Sequence, residues 1–339
     1  MPERFSERKR INPVILNWLS MAEGIPSTSP LIQYHGRWRV NPSTSTLAAS
    51  VSAGWSGSSF HLRTTSRSLA LNFGSPTLSK IMDDDGNNSK AVVWRTWEFE
   101  GDVEKSFLRG TISMESIQEE TIVQLWADRP EGRVRTLECA VSDFGMLVSL
   151  ESILVDKDSL LPPSPRRPSH RYLVYGDSTC TAYHEKSLYR GFKDGIFEGY
   201  QWMLMDLLDS KPAGERDFVC ETVAYPAITL TPSETPYTKK GYKEGDETLT
   251  PIEMDMGPKL FEQIQREENG GYLTSLMKWK EEFKSREDAE EWKHLKVEVM
   301  EISMVLRRED CYDGLHPTEM GHRRLASEFR DRLLELERS

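Results

Sequence analysis

Hydrophobic positions along the chain follow two rhythms. Up to about residue 156 they alternate with polar ones: Phe60 and Leu62, then Leu69, Leu71 and Phe73, then Val93, Trp97 and Phe99, then Leu137, Cys139 and Val141, then Ile153 and Val155. Turn-forming clusters separate these runs at 83–88, 100–102 and 129–132. Period-two runs with frequent turns predict an all-β, jelly-roll-like sandwich over 32–156. Beyond residue 171 the rhythm changes. Tyr172-Leu173-Val174-Tyr175 is a continuous apolar run, as in a buried strand of a parallel sheet. The stretch 196–208 reads as helix and 218–225 as a second buried strand. Leu325, Phe329, Leu333 and Leu336 share one helical face over 318–337, with Thr318 as N-cap. Strands alternating with helices predict an α/β domain over 171–339.

Between the two lies Leu160-Leu161-Pro162-Pro163-Ser164-Pro165-Arg166-Arg167-Pro168. Proline fixes φ and removes amide donors, so 157–170 reads as a linker. Residues 1–31 read as an N-terminal extension, with a loop at 24–30. Inside the second domain, 231–258 reads as a long proline-rich loop, 259–294 as charged helix, and 295–306 as either strand or helix.

The 339 residues suit two domains. A net charge of −11 disfavours broad electrostatic capture of nucleic acid or docking on anionic membranes, so neither is expected as a partner. No run reaches the ~18–20 apolar residues that span a bilayer. Cys139, Cys180, Cys220 and Cys311 form no C-x-x-C pair, which argues against a disulfide framework and a zinc site. A reduced, cytoplasmic setting is expected, as no signal peptide is recognised.

Two motifs carry chemistry. The first apolar run of the second domain leads into Gly176-Asp177-Ser178, which sets a serine at a strand's carboxyl end, where open α/β sheets place ligands. Read alone, this is more readily a common turn than a catalytic serine. Near the C-terminus stands Asp313-Gly314-Leu315-His316-Pro317. A carboxylate on one imidazole nitrogen leaves the other free to take a proton from serine. Read alone, this is equally a surface loop with a capping aspartate. His184, Cys180 and His322 are weaker candidates, His322 being read as a surface residue of the last helix.

Together, in this order, the motifs resemble the SGNH (GDSL-type) hydrolases, and Asp313-Gly314-Leu315-His316-Pro317 followed by Gly321-His322 is similar to that family's final block. The resemblance implies a three-layer α/β fold with a parallel sheet, Ser178 as nucleophile, His316 as base and Asp313 as its orienting carboxylate. His35-Gly36-Arg37-Trp38 and Trp55-Ser56-Gly57-Ser58, followed by the alternating strands and the hinge, resemble two-domain family-two carbohydrate esterases, which remove acetyl groups from sugars. Trp38 and Trp55 themselves read as sandwich core.

The chain departs from the family at the oxyanion hole. The resemblance assigns oxyanion amides to Ser178 and to Ala227, which stands where the family has glycine. The family's Gly-x-Asn-Asp block is missing, and Asn269 is the sole asparagine between Ala227 and Asp313. The expected activity is hydrolysis of an ester of a carbohydrate or small hydroxylated molecule, acetyl being the expected acyl group, with no metal or organic cofactor. Two alternatives stay open: a catalytically impaired carbohydrate-binding protein on this scaffold, or an acyltransferase of a biosynthetic pathway.

Overall fold

The computed structural model describes residues 17–44, 48–54, 57–74, 78–79, 90–100, 103–113, 116–117, 121–142, 146–164, 168–176, 195–224, 305–311 and 317–338. Its first part is two antiparallel sheets. Their strands are β1 (Glu23–Pro26), β2 (Gln33–His35), β3 (Arg39–Asn41), β4 (Ser50–Ala53), β5 (Ser59–Thr64), β6 (Leu69–Phe73), β7 (Leu78–Ser79), β8 (Lys90–Glu100), β9 (Val103–Ser113), β10 (Ile122–Trp126), β11 (Val134–Val141), β12 (Met146–Val155) and β13 (Leu160–Leu161). One sheet runs β10-β6-β12-β4-β3, with β1 and β7 also on β12. The other runs β13-β5-β11-β8-β9, with β2 also on β5. The alternating runs turn one set of side chains inward. Phe60, Leu62, Leu137, Cys139 and Val141 meet Leu69, Leu71, Phe73, Leu150, Ile153 and Val155 in one buried core.

The second sheet is covered on both faces along β8 and β11. Its other face carries Val93 of β8 and Ala140 of β11, which pack with Ile196, Phe197, Trp202 and Met205 of the second part. There, strands β14 (His170–Gly176) and β15 (Phe218–Ala224) pair in parallel. Helix α1 (Tyr200–Leu208) lies between them in sequence, and helix α2 (Glu319–Arg338) follows at the C-terminus. A parallel pair requires a crossover, and α1 belongs to it.

Several elements differ from the sequence expectation. The supposed loop at 24–30 contributes β1, which pairs with β12. Leu160 and Leu161 form a short edge strand on β5, where proline need not follow into a central ladder. Strands β1 and β13 thus lie outside 32–156 yet pair with the sandwich sheets. The helix expected over 196–208 divides into a 3-10 turn, Gly195–Glu198, and α1, with Gly199 between as N-cap. Strands β9 and β10 were not anticipated. Thr318 caps α2 as expected: its Oγ1 accepts the Gly321 amide at 3.2 Å. The expected elements at 231–258, 259–294 and 295–304 lie outside the described residues.

Candidate functional site

The β14–β15 register runs from His170↔Phe218 to Gly176↔Ala224. Both strands therefore end level, and the chain leaves each at the same sheet edge. Ser178 follows the end of β14 by two residues, and Ala227 follows the end of β15 by three. Ser178, Ala227, Asp313 and His316 themselves lie outside the described residues, as do Cys180, His184, Asn269 and Trp55.

The approach to the Asp313–His316 block is described from both sides. A 3-10 turn, Arg308–Asp310, leads to Cys311, which bridges antiparallel to Pro317. That bridge brackets residues 312–316. The Thr318 amide donates to the Asp310 carbonyl at 2.7 Å. The buried Asp310 carboxylate accepts the Arg307 amide at 2.8 Å and pairs with Arg324 of α2. Gly321 lies so close to the Asp310 carbonyl oxygen that a Cβ there would collide with it. Backbone contact, cap and ion pair together fix where this block meets α2.

His322 corrects the sequence reading. It is fully buried, not a surface residue, and its Nδ1 accepts the Tyr200 amide at 3.3 Å. Tyr200 and Leu204 of α1 pack with Leu325 and Ala326 of α2, and Val174 of β14 joins the same cluster. The strand that leads to Ser178 and the helix that follows His316 thus share one hydrophobic contact. His322, Leu325, Phe329 and Leu333 fall on one helical face, and that spacing was the sequence signal for burial.

A second concentration of polar groups lies where α1 and the segment after it meet the sandwich. Arg95 of β8 donates to Glu138 of β11 at 2.7 Å and to Asp206 of α1 at 2.8 Å. Arg216 donates to Asp206 at 2.9 Å and to Glu138 at 3.5 Å. The guanidinium of Arg95 lies over the rings of Phe197 at 4.6 Å, Trp97 at 5.0 Å and Trp202 at 5.4 Å. Two cations and two carboxylates close a ring. Burial alone would raise the pKa of Glu138, but Arg95 and Arg216 outweigh it and hold the carboxyl below its usual range. Burial pulls Arg216 down, against the pull of Glu138. Beside the ring, His61 contacts Gln33 through Nε2 and His35 through Nδ1, the latter at 3.1 Å. Burial, with His35 alongside, pushes the His61 pKa down to about 3, so the ring is neutral. Sequence reasoning missed these groups. Arg95 shares its strand face with the buried Val93 and Trp97, and Glu138 shares its face with the buried Ala140.

A cavity of about 30 Å³ opens beside this ring, lined among others by His35, Glu138, Trp202, Gly214, Arg216 and Cys220. That is room for about one water molecule. Val219 and Cys220, at the amino end of β15, line it. At roughly 3.3 Å per residue, Val219 is about 16 Å along the strand from Ala224. The cavity is therefore not the pocket of the Ser178 edge. Among the described residues, no cluster of three or more His, Cys, Asp or Glu side chains is disposed to hold a metal ion. No helix among them is long and apolar enough to cross a membrane.

No family model matches the sequence, and no curated protein matches it. Solved structures do. The salicylyl-acyltransferase SsfX3 from a tetracycline biosynthetic pathway aligns over 94% of this chain and 98% of that one, with TM-score 0.52 and 13% identity. A carbohydrate esterase whose active site displays divergent catalytic and non-catalytic binding functions aligns over 92% and 98%, with TM-score 0.49 and 14% identity. A family two carbohydrate esterase from Cellvibrio japonicus aligns over 62% of this chain, with TM-score 0.42 and 16% identity. The match spans about half of that enzyme, 54% of its length. The likeness to the acyltransferase shows a shared fold along nearly the whole chain. The chain is thus structurally similar, at low identity, to carbohydrate esterases and to an acyltransferase.

Proposed function

We propose that the chain is a serine ester hydrolase of the SGNH type. Ser178 attacks the acyl carbonyl while His316 takes its proton, and Asp313 orients the imidazole. The amides of Ser178 and Ala227 receive the oxyanion, and water then releases the acyl group. The expected substrate is an acetyl ester of a carbohydrate or small hydroxylated molecule. The triad needs no metal or organic cofactor. In this reading β14 and β15 are neighbours in the parallel sheet of a three-layer unit over 171–339, joined through 157–170 to the sandwich.

The observation that carries the reading is the level ending of the parallel pair at Gly176↔Ala224. The strands that precede Ser178 and Ala227 end at one edge, which supports a shared oxyanion site. The bracket at Cys311↔Pro317, packed by α2 against α1 and β14, supports it from the base's side. Without the third-block asparagine the rate is expected to be lower by about 10²–10³-fold than with a full oxyanion hole.

The test is labelling by a fluorophosphonate probe with mapping of the modified peptide. An adduct on Ser178 is expected; no adduct overturns the proposal. The missing asparagine favours one second reading, sugar binding without turnover, which predicts ligand binding that survives Ser178→Ala and no esterase activity in the native chain. Product analysis with and without an acceptor alcohol separates hydrolysis from acyl transfer.

A further inference from the structure

Helix α1 starts at Tyr200 behind a glycine, and no side chain caps it from Gly199. The first amides of a helix have no partner within it. Tyr200's amide is satisfied from another helix, by Nδ1 of His322 at 3.3 Å. The His322 ring lies nearly parallel to that of Tyr200, centroids 6.2 Å apart, and Tyr200 stacks in turn on Phe329 at 5.0 Å. A neutral imidazole accepting at Nδ1 carries its proton on Nε2. His322 stands in the first turn of α2, six residues after His316. Tyr200 opens the helix that belongs to the crossover from the nucleophile's strand. One buried imidazole therefore ties the two segments that bring the proposed triad together, beside the cluster holding Val174, Leu204, Leu325 and Ala326.

We propose that His322 is a positioning residue for the ester hydrolysis. It caps α1 from the side, locks α2 to the β14–α1 unit, and so sets how His316 approaches Ser178. It passes no proton itself, because its Nδ1 is committed to the Tyr200 amide in a buried site. This rests on the hydrolase reading above.

Two variants test it. His322→Asn offers Oδ1 near the place of Nδ1 and keeps an acceptor for the amide. His322→Leu keeps bulk and removes the acceptor. With a chromogenic acetyl ester, measured well below each variant's Tm, H322L is expected to lower kcat by about tenfold to a hundredfold with little change in KM, as misplacement of a reacting group does. H322N is expected to recover most of that loss. An H322L with the native kcat, or an H322N as impaired as H322L, overturns the proposal. If the native protein neither turns over the ester nor labels at Ser178, the hydrolase reading fails separately. Amide hydrogen exchange then decides the tie. Faster exchange at 199–204 and 311–318 in H322L, but not in H322N, upholds it, and unchanged exchange in H322L removes it.

Discussion

At the amino end of the β14–β15 pair, Arg95, Glu138, Asp206 and Arg216 close a ring of ion pairs under the rings of Trp97, Phe197 and Trp202. At the carboxyl end the strands stop level at Gly176 and Ala224, and the chain passes into the segments that hold Ser178 and Ala227. The first end is built from side chains on two strands, a helix and the turn segment before β15, with each charge answered by another. The second is where the two strands hand the chain on, level with one another. Binding and catalytic groups sit on loops carried by a rigid scaffold because the scaffold fixes their origin. The sandwich contributes to the first end through its second sheet, whose outer face at Val93 and Ala140 packs in the seam, while the same face at Phe107 of β9 is exposed.

The two ends should respond to mutation in opposite ways. Ser178→Ala is expected to abolish ester turnover, by on the order of 10⁴-fold or more, without moving Tm. Turnover comparable to the native protein would remove Ser178 from the mechanism. Arg95→Leu should do the reverse. It strands Glu138 in a buried site with Arg216 alone and takes a cation from three aromatic faces. Breaking one partner of a buried pair costs about 3–5 kcal/mol. Denaturant unfolding should show a loss of that size, and the surviving folded fraction should keep its kcat. The double variant Arg95→Leu/Glu138→Leu should lose less than the two single losses summed, since neither charge is then left alone. Strict additivity would mean that the ring is not a unit.

How legible each end was in the sequence follows from the same contrast. The proposed catalysis demands particular residue types at strand and helix ends, so Gly176-Asp177-Ser178 and Asp313–His316 stand out as letters even though 177–178 and 313–316 fall outside the described residues. The seam demands only that charges meet, and its four members come from 95, 138, 206 and 216, which no local pattern links. Strands β5, β6, β11 and β12 were legible because their inward positions are large and apolar, and β8 because Val93 and Trp97 on its other face are apolar and buried. Strand β9 was not, because its alternation breaks in the middle, although Ile112 is buried in the core. Gly110 faces inward, where a Cβ would meet the Trp94 ring at 2.8 Å, while Phe107 is exposed and rests edge-on against Trp97 at 5.5 Å. Helix α1 was placed too early because hydrophobic rhythm continued through Gly199 into the 3-10 turn. Period alone does not mark such a break; a glycine can.

Acid separates the ends by a smaller amount. His61 stays neutral in the folded seam, with its pKa lowered from 6.5 to about 3, but takes up a proton when the chain unfolds. A group depressed on folding contributes its full stability above the unfolded pKa and loses it as pH falls through the window between the two values. At pH 5 this loss is roughly 2 kcal/mol, at 1.36 kcal/mol per unit. Unfolding free energy should therefore decline from about pH 6.5 downward, and His61→Gln should flatten that decline. An unchanged slope in the variant would show that another group governs it.

The smallest effect tests the carboxyl end's scaffold rather than its chemistry. Gly321 sits in the first turn of α2, against the carbonyl of Asp310 and the ring of Pro317. Alanine favours a helix over glycine by about 1 kcal/mol. Here the added methyl must displace backbone, and overpacking of this kind costs ~1–3 kcal/mol. The second effect should win narrowly, leaving Gly321→Ala about 1 kcal/mol less stable by denaturant melt. Because the displaced carbonyl is the one that accepts the Thr318 amide, the shift falls on the bracket around Asp313 and His316. Ester turnover should drop by more than the stability change would suggest, while Arg95→Leu, with its larger stability loss, leaves kcat alone. A G321A protein with native kcat would mean that residues 312–316 are positioned from elsewhere.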